Sequence, residues 1–250
     1  ENEVKRCVTG RADYIHLDVM DGMFVPNKTF DYNKIRELRP LTVIPFDTHL
    51  MINEPEKHVK DYVDAGSDVI TVHVEVCDAS SFGQIHDVLK SNQIGVGLAI
   101  NPDTEFPEWA VQFIPKLDQI IVMSVVPGKS GQKYIEATHE KMHKLNQILN
   151  HNNFDGYIEA DGGVTLDNIG ACFVDGARAF VGGSAIIGQQ DVRGVIREFR
   201  NKIAYARRKM LIQKAHELGG NDLVAKWIDL HVIGEKKNQL GTIARELGYV

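Results

Sequence analysis

Between Asp13 and about Gly188 the chain repeats one pattern: a short β-branched apolar run, then a polar segment with apolar residues at i, i+3 and i+4, then a turn rich in Gly or Asn. The apolar runs fall at 14–19, 44–51, 69–74, 95–100, 119–125, 157–161 and 177–181. They are nearly continuous in Val and Ile, as strands covered on both faces are, and helix-periodic segments such as 55–65 and 133–150 separate them. Several of these segments reach a Gly just before the next strand, as at Ala65-Gly66 and Asp175-Gly176, where helix C-termini favour it. Strands alternating with helices in this way predict a parallel sheet covered by helices.

Such a sheet can stay open and doubly wound or curl into a (β/α)8 TIM barrel. The polar residues favour the barrel: His16, Asp18, His49, Asn101, Ser124 and Asp161 sit at or near the C-terminal ends of several different strands, which suits a barrel mouth better than a single crevice. A barrel needs an eighth strand, and the residues before Tyr14 read instead as the end of a helix, 2–9, followed by Gly10. The expected organisation is therefore a barrel domain over 1–204 lacking its first strand, with two unpaired sheet edges open to aggregation. Residues 205–250 are expected to form a C-terminal helical extension. It reads as a helix over 204–218, a Gly-Gly break, and amphipathic pieces near 223–230 and 240–247. Packing on the barrel exterior is the expected role; a partner contact, or a strand at 228–233 filling the gap, are the alternatives.

Composition agrees with an ordinary globular chain: of 250 residues, 43% are hydrophobic and 25% charged, enough for one large core. No stretch approaches the apolar length of a membrane-spanning helix, and the first ten residues lack the apolar centre of a secretory signal. The expected location is the cytoplasm, unless a targeting peptide precedes Glu1. Cys7, Cys77 and Cys172 are too widely and irregularly spaced for a disulfide framework or a cysteine zinc site. The net charge of −6, with no basic run longer than Arg207-Arg208-Lys209, argues against nucleic acid as a partner.

The segment Tyr14-Ile-His-Leu-Asp-Val-Met-Asp-Gly22 places His16, Asp18 and Met20 on one strand face, because side chains two apart point the same way. Phe46-Asp-Thr-His-Leu-Met51 does the same for Asp47, His49 and Met51. Imidazoles and a carboxylate projecting from neighbouring strands into one mouth form a candidate site for a divalent metal; hydrogen-bonded core residues are the alternative. Glu159-Ala-Asp161-Gly162-Gly163 adds a carboxylate that would face Asp18 across the mouth. Two carboxylates flanking one cation can act as acid and base on opposite faces of a substrate, although Asp-Gly-Gly also makes a tight strand-to-helix turn. Glycines in Val126-Pro-Gly-Lys-Ser-Gly-Gln132, Asp161-Gly-Gly-Val164 and Val181-Gly-Gly-Ser-Ala-Ile186 lie on the same rim, where backbone N–H groups can receive a phosphate. Met20, Met51 and Met123 would point into the mouth, as filler or as a dry collar.

The runs His16-Leu-Asp-Val-Met-Asp-Gly-Met-Phe-Val-Pro-Asn27, Asp47-Thr-His-Leu-Met-Ile52, Ile70-Thr-Val-His-Val-Glu75, Val122-Met-Ser-Val-Val-Pro-Gly128, Glu159-Ala-Asp-Gly-Gly163 and Gly183-Ser-Ala185 closely resemble the ribulose-phosphate 3-epimerase family, over roughly residues 2–204. The resemblance implies a (β/α)8 barrel that interconverts D-ribulose 5-phosphate and D-xylulose 5-phosphate in the pentose phosphate pathway. It implies one divalent metal ion, Zn, Fe, Mn or Co, held by His16, Asp18, His49 and Asp161. Asp18 and Asp161 would be proton acceptor and donor through an enediolate. Substrate and phosphate would be held by His49, Gly128, Lys129, Ser130, Gly131, Gly162, Gly163, Gly183 and Ser184. The chain departs from the family in its loop, where the usual Asn-Pro-Gly-Phe-Gly-Gly-Gln reads Val126-Pro-Gly-Lys-Ser-Gly-Gln132, and in lacking a counterpart of the first strand with its phosphate-contacting Ser. A ketohexose-6-phosphate 3-epimerase acting on allulose 6-phosphate, or a catalytically impaired sugar-phosphate-binding barrel, are the competing readings. A homo-oligomer is the expected assembly, with no nucleic-acid or membrane partner.

Overall fold

The computed structural model describes residues 1–129 and 131–217. Strands β1 (Ile15–Met20), β2 (Phe46–Met51), β3 (Val69–His73), β4 (Gly95–Ile100), β5 (Gln119–Met123), β6 (Tyr157–Asp161) and β7 (Ala177–Val181) form one parallel sheet in sequential order. Parallel neighbours need a crossover between them. Helices α2 (Tyr32–Leu38), α3 (Val59–Ala65), α4 (Ala79–Ser91), α5 (Glu108–Val111), α6 (Ala137–His151) and α7 (Ile169–Val174) lie in those crossovers, between α1 (Asn2–Gly10) and α8 (Val192–Glu217).

Alternation along the strands sorts side chains into two environments. Ile15, Leu17 and Val19 of β1, Phe46 and Leu50 of β2, Ile70 and Val72 of β3, and Ile120 and Val122 of β5 join residues of the surrounding helices in one large apolar cluster. The opposite parity carries His16 and Asp18, Asp47 and His49, Thr71 and His73, Gln119, and Glu159 and Asp161. Although β1 and β6 are not neighbours in the sheet, Nδ1 of His16 stands 3.2 Å from Oε1 of Glu159. The sheet is therefore curled, with its polar face turned inward.

Among the described residues β1 and β7 each have a single strand neighbour, so the curled sheet has two edges. The helical layer closes where the sheet does not. A Cβ on Gly10 would lie 2.7 Å from Cγ1 of Val192, so α1 and α8 approach at a distance that only glycine allows. Nη2 of Arg200 in α8 donates to the Arg11 carbonyl at 2.7 Å and to Asp13 at 2.9 Å. The sequence reading places this helix at 2–9 with Gly10 after it; α1 instead includes Gly10, which is committed to the helix contact, and the left-handed cap is Arg11 (φ 61).

Two helical segments differ from their sequence outlines. Residues 55–65 divide into a 3-10 turn, Pro55–Lys57, and α3. The segment 133–150 becomes helical only at Ala137, because the Ile135 N–H is taken by the Ser124 carbonyl at 2.8 Å, holding the chain against the end of β5. Helix α8 runs unbroken through Ala204 and Tyr205, so the expected division between 204 and 205 falls inside a helix. The pieces read at 223–230 and 240–247, and the strand read at 228–233, lie outside the described residues.

Candidate active site

The parallel register sets Asp18 beside His49 and His16 beside Asp47, and the curl brings Asp161 of β6 up to both histidines. His16, Asp18, His49 and Asp161 each offer a ligand atom within 4.8 Å of the others. Nδ1 of His49 is 3.2 Å from Oδ1 of Asp18 and 3.5 Å from Oδ2 of Asp161. Nε2 of His16 is 3.3 Å from Oδ1 of Asp18 and 3.7 Å from Oδ2 of Asp161, yet it is buried without a hydrogen bond. A buried nitrogen without a hydrogen bond, aimed between two carboxylates, is a position that a cation would satisfy. Two imidazoles and two carboxylates form an ordinary donor set for a divalent transition metal.

A second polar layer lies beneath this cluster. Nδ1 of His16 is 2.7 Å from Oδ2 of Asp47; the other Asp47 oxygen accepts from Nε2 of Gln119 at 2.8 Å. Gln119 also donates to Thr71 at 2.9 Å and accepts from the Tyr157 hydroxyl at 2.7 Å. His16, Asp47 and Glu159 also stand close enough to hold an ion. Here, however, the imidazole nitrogen is committed to Asp47, so the group reads as the support of His16.

Charge follows from these contacts. Burial works against a proton on His16, but the Asp47 carboxylate bonded at Nδ1, with the Asp18 and Glu159 carboxylates close to the ring, holds its pKa well above the ordinary value. Burial likewise opposes His49, whose contacts with Asp161 and Asp18 raise it to about 9. Asp18 resists burial through His16 and His49 and stays well below the usual carboxylate range, with its side chain 43% exposed at the mouth. Burial, then the neighbouring Asp47 carboxylate, push Glu159 up to about 8, so that it is a neutral acid beside an ionised Asp47.

The rim residues are more scattered than the four clustered ones. Gly162 and Gly163 follow Asp161 and face the β5–α6 loop: Cβ atoms there would meet Val125 and Tyr134. Gly128 abuts Val25, and its carbonyl accepts from Asn27 at 2.6 Å. Lys129 is exposed, its carbonyl taken by Gln132 at 2.7 Å, and Gly131 follows with φ 75. Gly183 and Ser184 are exposed at the start of a turn after β7. Ser130 lies outside the described residues. Met51 and Met123 are buried and Met20 is half-buried on the inward parity.

Sequence reasoning assigned no role to Asp47, His73, Glu75, Gln119, Tyr157 or Glu159. A signal existed: each polar side chain at an inward position of an otherwise apolar strand needs a partner. All three cysteines are unpaired. Among the described residues no helix is long and apolar enough to cross a membrane.

Residues 1–187 match the Ribulose-phosphate 3 epimerase family. The chain is 38% identical to the chloroplastic ribulose-5-phosphate-3-epimerase of Arabidopsis thaliana, over 78% of this chain and 69% of that protein. It is 36% identical to the ribulose-phosphate 3-epimerase of Bacillus subtilis (strain 168), over 80% and 91%. Among solved structures it resembles 3-hexulose-6-phosphate synthase from Salmonella typhimurium, with TM-score 0.60 and 18% identity over 82% of this chain and 92% of that one. That likeness concerns the barrel-like fold alone.

Proposed function

The chain belongs to the ribulose-phosphate 3-epimerase family and is an epimerase of the isomerase class, and from that premise we propose that it interconverts D-ribulose 5-phosphate and D-xylulose 5-phosphate by proton transfer between C3 and the carboxylates Asp18 and Asp161. One observation carries this reading: oxygens of both carboxylates and nitrogens of both histidines lie within 4.8 Å of one another. His16 through Nε2, His49 through Nδ1, and the two aspartates would hold a divalent ion. When bound, such an ion supplies Lewis-acid stabilisation of the negative charge that develops on the substrate's ketone and hydroxyl oxygens.

Asp18 is ionised, half open to the mouth, and suited to accept the C3 proton. Its loss leaves an enediolate, planar at C3. Asp161 projects from β6 rather than β1 and returns a proton to the opposite face, which inverts the centre. General acid–base help of this kind is worth about 10²–10⁴-fold. Met51 and Met123 exclude water from the site, while the glycines of the β5–α6 and β6–α7 loops, with Gly183 and Ser184, receive the phosphate.

In deuterated buffer, ribulose 5-phosphate should lose its C3 hydrogen to solvent stereospecifically, and Asp161→Asn should abolish both epimerisation and inversion of the label. Full exchange with normal inversion in that variant rejects the assigned roles. In competition, the pentose phosphate should show a higher kcat/KM than allulose 6-phosphate; the reverse order would make the ketohexose phosphate the substrate.

A further inference from the structure

His49 of β2 and His73 of β3 meet nitrogen to nitrogen, with Nε2 atoms 2.8 Å apart and ring planes 23° from parallel. At that distance one ring donates and the other accepts. The second nitrogen of His73, Nδ1, is 2.9 Å from Oε2 of Glu75. Glu75 is held as an anion: Oε1 accepts the Asn101 backbone N–H at 2.8 Å, and bonds from His73, Asn101 and Thr104 outweigh its burial. An ionised carboxylate only accepts, so Nδ1 of His73 carries a hydrogen. A neutral imidazole that holds its hydrogen on Nδ1 leaves Nε2 bare, and Nε2 of His73 is the atom that faces His49. Nε2 of His49 must then donate, which leaves Nδ1 as the atom turned toward Asp18 and Asp161. Both imidazoles are 0% exposed, and the Phe24 ring covers His73 at 4.7 Å, so water cannot replace either partner.

We infer that His73 and Glu75 are positioning residues that lock His49 in the tautomer presenting Nδ1 to the cation, an inference that rests on the metal centre proposed above. Were His73 a donor at Nε2, the hydrogen of a neutral His49 would sit on Nδ1 and point into the site. The relay thus does for His49 what Asp47 does for His16, at one remove.

The experiment uses the full chain with Zn²⁺ as probe, measuring its dissociation constant by chelator competition and the His49 tautomer by imidazole ¹⁵N NMR. His73→Leu fills the space without an acceptor and should weaken Zn²⁺ about 10- to 100-fold. His73→Gln places a carbonyl oxygen against His49 and should restore most of the loss. Glu75→Gln, whose amide cannot accept from both His73 and Asn101, should weaken Zn²⁺ and mix the His49 tautomers. Equal Zn²⁺ affinity in His73→Leu and His73→Gln would overturn the inference, since packing alone would then explain the site. A wild-type protein that binds no Zn²⁺, or binds it equally well after His16→Ala, would instead remove the metal centre. In that event the metal-free protein, brought to a pH at which the ring ¹⁵N shifts show His49 neutral, still decides the tautomer. A dominant Nε2–H form there supports the lock, and an even mixture overturns it.

Discussion

Without a cation, His16 and His49 both carry charge at neutral pH, since the carboxylates around them outweigh the burial that would discharge them. Their folded values lie above that of a free imidazole, so each ring keeps a proton that a bound cation must displace. Affinity for Zn²⁺ should therefore rise with pH from neutrality toward about 9, where the His49 contribution levels off. At pH 7 binding should release about two protons, counted by calorimetry in two buffers of different ionisation enthalpy. Release of none would show that the ring nitrogens are not ligands. Asp18 adds no proton to this count, because the histidines already hold it ionised. His16, Asp18, His49 and Asp161 were legible in the chain because they belong to ordered motifs. Glu75 was legible only as part of a motif, since its role depends on Asn101 and His73 meeting it in space.

Each inner strand has one face for the core and one for chemistry, and β2 separates the two within adjacent residues. Leu50 is fully buried under the helices, whereas His49 faces the site. Leu50→Ala should cost about 2–5 kcal/mol in urea unfolding through the cavity it leaves, with Zn²⁺ affinity unchanged. His49→Ala should abolish tight Zn²⁺ binding. If Leu50→Ala weakened the metal as much as His49→Ala does, the two faces would not be independent. Strand positions were readable from apolar runs, and all seven appear within a few residues of their expected limits. Helix limits were less so: α6 starts late because a long-range bond from Ile135 to Ser124 competes with helical periodicity, and no local pattern encodes it.

For the molecule as a whole, three of the four candidate ligands come from the paired strands β1 and β2 and the fourth from β6, which the sheet order keeps apart from them and the curl brings up to them. A cation would tie the sheet across its mouth. Free Zn²⁺ at about 100 times its dissociation constant should add about 2.7 kcal/mol of stability, or roughly 5–10 °C in Tm by scanning calorimetry. Asp161→Ala should lose that shift; a shift that survives places the ion elsewhere. The chain by itself determined the alternation of strands and helices, the inward parity of His16, Asp18, His49 and Asp161, and the family they resemble, because period and motif are local properties of a sequence. Only the tertiary structure decided that α1 and α8 close the side where β1 and β7 have no common neighbour. It alone set Asp47 and Gln119 beneath His16 and aligned His49, His73 and Glu75 into one relay. Apart from the step from His73 to Glu75, those contacts join residues distant along the chain, and such proximity is created by strand pairing and the curl of the sheet, which no stretch of sequence contains.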